Sequence, residues 1–216
     1  MIIMKTFTVT AHTGCIGTKP NSIDSILKGC ESGADIIEFD LNFDNNGTPV
    51  LSHDAPKGGE VTLDEAFAVL AKCNGLKANV DVKSVEAIEK VAPLAKKHNV
   101  LDRIFYTGVH EGFVEAVKTR SPEVNYYLNV NVASKWKQTD KYLQSLLRKV
   151  KDNGALGINF NKNKATKRLV NTFRKNGLLV SIWTVDTKRM MKKIISLSPD
   201  NITTRHPDEL IDLLNK

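Results

Sequence analysis

Eight short runs rich in β-branched and aromatic residues recur along the chain, at residues 7–12, 35–43, 77–83, 103–108, 124–130, 155–161, 178–185 and 200–204. Each is followed by a segment with helical spacing of its apolar residues, at 22–32, 62–72, 85–98, 110–119, 138–152, 165–175, 186–197 and 207–215. Ser22, Thr62, Ser84 and Asp186 stand where N-caps belong, and Pro207 stands at a first helical position. A regular alternation of this kind predicts an α/β fold with a parallel sheet. Eight units in 216 residues fit one closed β/α (TIM) barrel, a single domain over residues 1–216. An open doubly wound sheet is the competing topology. It is disfavoured because "AHTGCIGTKP" after the first run contains glycines but not the dinucleotide fingerprint, and no phosphate-loop motif occurs.

Composition narrows the class. Hydrophobic residues make up 41% and charged residues 25%, as in a soluble globular protein, and no apolar run reaches the roughly 18 residues needed to cross a bilayer. The start "MIIMKTFTVTAH" lacks a positively charged leader and a small-residue cleavage site, so it reads into the first strand and the expected compartment is the cytoplasm. The three cysteines, Cys15, Cys30 and Cys73, are odd in number and lack metal-type spacing, which fits reduced thiols, with Cys15 a bystander near His12. The net charge of +7 arises in the second half. Lys188, Arg189, Lys192 and Lys193 recur there at helical spacing, as on a solvated helix face; the alternative is that the basic half raises the local concentration of an anionic substrate. Nucleic acid is not an expected partner, because the basic positions lack interleaved aromatics. Nor is a stable membrane anchor.

Chemistry concentrates at strand ends. In a barrel, the C-terminal ends of all strands open into one bowl. His12 closes the first run, Glu38 and Asp40 lie on the second, His53 follows it at the end of "PVLSHD", and Asp81 and Lys83 lie on the third. Residues two apart on a strand share a face, so Glu38 with Asp40, and Asp81 with Lys83, point the same way. Three carboxylates converging in a low-dielectric bowl call for a compensating cation, either Lys83 alone or a metal. Oxygen ligands without thiolate suit Mg²⁺ or Ca²⁺. Two histidines at the same mouth can exchange protons near neutral pH.

These residues carry a family resemblance. "AHTG", "PNS", "GADIIEFDLNF", "GTPVLSHD", "TLDEAF", "NVDVK", "VSIWTVD" and "NITTRHPDEL" resemble, in order and spacing, the motifs of the glycerophosphodiester phosphodiesterase family. The likeness spans nearly the whole chain. It implies a metal-dependent phosphodiesterase that cleaves glycerophosphodiesters to an alcohol and glycerol 3-phosphate, a small-molecule substrate. It further implies Glu38, Asp40 and Asp81 as ligands of a divalent cation, Mg²⁺ or Ca²⁺, and His12 and His53 as the acid/base pair. Lys83 would offset phosphoryl charge, and Trp183 would wall the glycerol carbons.

The departures from the pattern are specific. Thr13 stands where the family has Arg, leaving a hydroxyl at an expected substrate-binding position. "PNS" lacks a Glu, Asp81 is one methylene shorter than the usual Glu, Thr204 replaces an Asp, and the segment after His53 is short. Two other functions stand beside it: a cyclising lyase acting on lysophospholipids, implied by the resemblance to related phospholipases D that also use two histidines, a Glu-x-Asp and a further Asp, and, from Thr13 and the short segment, a weakened barrel that only binds a phosphorylated ligand.

Overall fold

The structure is a computed structural model that describes residues 7–215. The expected leaderless start at residues 1–6 lies outside the described residues. Eight parallel strands, β1 (Thr8–Ala11), β2 (Ile36–Phe43), β4 (Lys77–Val82), β5 (Ile104–Thr107), β6 (Leu128–Asn129), β7 (Gly157–Asn161), β8 (Leu179–Trp183) and β9 (Asn201–Thr204), run in the order β5-β4-β2-β1-β9-β8-β7-β6. The remaining seam between β5 and β6 is closed by a parallel bridge from Tyr106 to Tyr126. There Tyr106 N–H donates to Asn125 O at 2.9 Å and Tyr127 N–H to Tyr106 O at 2.9 Å. The molecule is thus a closed β/α barrel. A short strand, β3 (Pro49–Leu51), pairs antiparallel with the end of β2, Leu41 opposite Leu51.

Helices α1 (Ile23–Glu31), α2 (Leu63–Lys72), α3 (Val91–Lys97), α4 (Glu111–Arg120), α5 (Asp140–Asp152), α6 (Lys167–Lys175), α7 (Lys188–Ile195) and α8 (Pro207–Leu214) surround the barrel. Ser22 caps α1, Thr62 forms a full capping box with Glu65, and Pro207 opens α8. Two expected caps are corrected. Ser84 accepts only from Glu86 N–H, and α3 begins later, after a 3₁₀ turn at Ile88–Lys90. Thr187, not Asp186, caps α7 by accepting from Met190 N–H. Asp186 is engaged elsewhere, as shown below.

Strand alternation divides the sheet into two chemistries. Val9, Ala11, Ile37, Phe39, Leu41, Val80, Val82, Ile158, Phe160, Val180, Ile182 and Ile202 are buried in the continuous apolar core. The alternate positions face the barrel axis and are polar: Asn201 Oδ1 accepts from Thr8 Oγ1 at 2.9 Å and Thr10 Oγ1 at 2.8 Å, and Asn201 Nδ2 donates to Ser181 Oγ at 3.0 Å. A buried polar interior is tolerated because its groups are hydrogen-bonded to one another. It supplies a floor of fixed dipoles beneath the mouth.

The expectation of three reduced thiols does not hold. Cys30 on α1 and Cys73, the C-cap of α2, are joined by a disulfide, while Cys15 is free and buried. The pairing comes from the packing of α1 against α2, which a residue count does not reveal. The bond closes a separation of 43 residues, so removing it in a Cys30→Ser/Cys73→Ser variant is expected to lower stability by about 2–4 kcal/mol. Thermal melts of the variant, and of the native chain with and without reductant, check this; an unchanged midpoint in the double variant refutes it. No helix of the described residues is long and apolar enough to cross a membrane.

Candidate active site

The strand ends open into a cavity of about 480 Å³ lined by His12, Glu38, Asp40, His53, Asp81 and Lys83, with Trp183 also on its wall. All six strand-end residues singled out in the sequence therefore meet. Glu38 and Asp40 are inward neighbours on β2, and Asp81 lies directly opposite Asp40 on β4. One carboxylate oxygen from each of the three falls within 4.8 Å of the others.

This crowding has an electrostatic cost. Burial first, then the nearby Asp40 and Asp81, push the Glu38 pKa well above the usual carboxylate range. Lys83 partly compensates: its Nζ lies 2.9 Å from Asp40 Oδ1 and is hydrogen-bonded to Asp81 Oδ2. Burial alone would lower the Lys83 pKa, but Asp81 and Asp40 outweigh it and raise it. The outer oxygens are held by neutral donors. Thr107 Oγ1 donates to Asp81 Oδ1 at 2.6 Å, Asn21 Nδ2 to Asp40 Oδ2 at 2.8 Å, and Thr13 N–H to Glu38 Oε2 at 2.8 Å. A set of three hard oxygen donors, Glu38 and Asp40 buried and Asp81 half-buried, held in place and still short of positive charge, fits a divalent cation.

The histidines differ in setting. His12 is largely buried, and its Nδ1 lies 2.8 Å from Thr13 O. A carbonyl only accepts, so Nδ1 carries the proton and Nε2 is left with its lone pair. Burial lowers the His12 pKa, with Arg205 acting in the same direction and the Thr13 carbonyl opposing. His53 is exposed, its side chain 68% accessible, with Nδ1 3.0 Å from Asp54 Oδ1. Its short loop is tied down from both sides. Ser52 N–H donates to Asp40 O at 3.1 Å, Asn42 Nδ2 to Asp54 O at 2.9 Å, and Glu60 accepts from the Lys57 and Gly58 N–H groups.

Thr13 is not brought into the cavity. It is 3% exposed. Its hydroxyl accepts from Asn21 N–H at 2.5 Å and donates to Asn21 Oδ1 at 3.2 Å. Asn21 in turn accepts from Asp40 N–H at 3.0 Å. The hydroxyl expected to meet substrate is instead a brace behind Glu38 and Asp40.

Several lining residues escaped the sequence reading: Arg205, His110, Asn129 and Asn159. The signal for Arg205 was available, since Asn201, Thr203 and Arg205 continue one inward-facing alternation. Gly108 at the rim has a backbone reason: its φ is +75°, and a Cβ there would lie 2.3 Å from Val82 O.

Comparison with known proteins shows the family and the fold. A family model described as the glycerophosphoryl diester phosphodiesterase family matches residues 69–209. That span holds Asp81, Lys83, His110, Asn129, Asn159, Trp183 and Arg205, whereas His12, Glu38, Asp40 and His53 precede it. A glycerophosphodiester phosphodiesterase of Caldanaerobacter subterraneus subsp. tengcongensis is 25% identical, covering 99% of each chain. The uncharacterized protein YqiK of Bacillus subtilis is 26% identical over 95% of this chain and 98% of its own. Among solved structures, a phosphodiesterase of Oleispira antarctica in complex with the product sn-glycerol-3-phosphate superimposes with a TM-score of 0.76 at 16% identity, covering 97% of both chains. A glycerophosphodiester phosphodiesterase of Parabacteroides distasonis gives 0.78 at 19% identity, also covering 97% of both.

Proposed function

Because this chain belongs to the glycerophosphoryl diester phosphodiesterase family, we propose that Glu38, Asp40 and Asp81 hold a divalent cation, Mg²⁺ or Ca²⁺, and that His12 and His53 move the protons of the reaction. The activity itself is that of the family, hydrolysis of a glycerophosphodiester. The observation that carries the finer reading is the carboxylate triad, its oxygens within 4.8 Å of one another, in a cavity that both histidines also line.

A bound cation supplies Lewis-acid polarisation of the phosphoryl oxygens. The chain's own groups do the rest. His12, neutral and with Nε2 bare, takes the proton of a substrate hydroxyl adjacent to the phosphodiester. The hydroxyl oxygen bonds to phosphorus, the bond from phosphorus to the alcohol oxygen breaks, and His53 gives that oxygen a proton. Water then opens the cyclic phosphate with the two histidines in reversed roles. Lys83 stays near the developing phosphoryl charge, and Trp183 shields the glycerol carbons.

Phosphorus NMR of the purified protein with glycerophosphocholine tests this. The expected result is conversion to glycerol 3-phosphate with Mg²⁺ or Ca²⁺ and none after chelation. No turnover with either cation overturns the reading, and a cyclic phosphate that accumulates unopened replaces hydrolysis by the lyase reaction.

A further inference from the structure

We propose that Arg205 is the guanidinium that grips the substrate phosphate, taking over from the last strand the task that position 13 does not perform. The proposal rests on the reading above that the cavity accepts a phosphodiester.

Register places Arg205 at the site. β1 and β9 are parallel neighbours with Ala11 opposite Thr204. His12 N–H donates to Thr204 O at 2.8 Å, and Ile16 N–H to Arg205 O at 2.9 Å. Arg205 thus follows directly beside His12 at the mouth. It shares the inward alternation of Asn201 and Thr203 and lines the same cavity as His12 and the carboxylate triad.

The side chain is also aimed. Asp186 Oδ1 accepts from Arg205 N–H at 2.8 Å, and Asp186 Oδ2 accepts from Arg205 Nη1 at 3.1 Å. Thr204 Oγ1 donates to Asp186 Oδ1 at 3.3 Å and steadies that carboxylate. One corner of the guanidinium is therefore pinned. Nε and Nη2 make no hydrogen bond among the described residues, and the side chain is 43% exposed. A planar fork with one fixed corner and free donors matches two oxygens of a phosphate.

The other cavity cation cannot fill this role alone. Lys83 is shared between Asp40 and Asp81, so its charge is already committed to the triad. Thr13 is excluded by its buried hydroxyl, which is fully used by Asn21. Only Arg205, among the described residues lining the cavity, combines a positive charge with a planar pair of unused donors.

The test uses inorganic phosphate as the probe, titrated calorimetrically into the full chain in magnesium buffer and again after chelation, together with steady-state kinetics on glycerophosphocholine. Arg205→Met is expected to weaken phosphate binding at least about tenfold and to raise KM by a similar factor, with kcat changed less, because the contact is made in ground and transition states alike. Arg205→Lys should recover part of the loss, as a point charge without the fork. Asp186→Asn should loosen the aim and cost less than Arg205→Met. If Arg205 merely braced Asp186, both variants would lower the thermal midpoint and leave phosphate affinity at the native value, and that result overturns the proposal. Should Arg205→Met fail to fold by circular dichroism, Arg205→Gln takes its place. Absent turnover in the native chain would end the phosphodiesterase reading without touching the phosphate comparison. Unchanged phosphate affinity in a folded Arg205→Met variant would end this proposal whatever the native chain hydrolyses.

Discussion

Glu38→Gln and Asp40→Asn are each expected to lower kcat by at least about 10³-fold while leaving the metal-free protein folded. The loss follows from the role: Lewis-acid stabilisation of phosphoryl charge is worth several kcal/mol, and each 1.4 kcal/mol is about a factor of ten. Stability moves the other way. The Glu38 pKa in the folded chain is raised above its ordinary value of 4.5. Between those two values the folded state keeps a proton that the unfolded chain has released. Stability of the chelated protein therefore falls as pH rises from about 4.5 through the folded-state pKa. The amide introduced by Glu38→Gln cannot ionise, so the substitution removes that slope. Chelated Glu38→Gln should be more stable at pH 7 than the chelated native chain, and the gap should close toward pH 4. Thermal melts over that range, with chelator, measure it. Full turnover by exhaustively chelated native protein would falsify the metal requirement, and a Glu38→Gln variant less stable at pH 7 would contradict the account of carboxylate crowding.

The cluster was legible because two simple periods generate it. Alternation on β2 makes Glu38 and Asp40 partners, and the same alternation on β4 makes Asp81 and Lys83 partners. The β/α repeat then brings both strands, with His12 and His53, to one end of a barrel. Applied to β9 with equal care, that rule reaches Arg205 from Asn201 and Thr203. What alternation cannot report is what a loop does. Asn21, at φ +57°, turns back over the end of β1 and captures the Thr13 hydroxyl, and nothing local to Thr13 signals it. Choices between adjacent candidates were also decided at long range. Asp186 and Thr187 are both good caps, but Arg205, 19 residues on, claims the first and leaves the helix to the second. The disulfide has the same character: Cys30 and Cys73 are brought together by helix packing, which has no signature in either local stretch.

His12→Ala and His53→Ala should each reduce kcat by at least about 10²-fold, the usual scale of general acid–base catalysis. The two losses should differ in pH dependence, because the settings differ. His12 is buried, with its pKa lowered from 6.5, so the native chain keeps an unprotonated base at that position below pH 6.5. The acidic limb of the kcat/KM profile should accordingly lie below 6.5 in the native enzyme and vanish in His12→Ala. Folding is linked to the same shift. Between the lowered folded-state pKa and 6.5 the unfolded chain binds the extra proton, so His12 adds a contribution to stability that grows as pH rises through that window and is complete above it. His53→Ala should leave this stability slope intact, since its side chain is exposed and its ring is hydrogen-bonded, among the described residues, only to Asp54. The double variant should lose less than the product of the single losses, because base and acid serve one displacement and removing either already disables it. Strictly multiplicative losses would mean that the two histidines act in separate steps. Turnover near the native level in either single variant would remove that histidine from the chemistry and leave the proton transfers to water or to a lining residue such as His110.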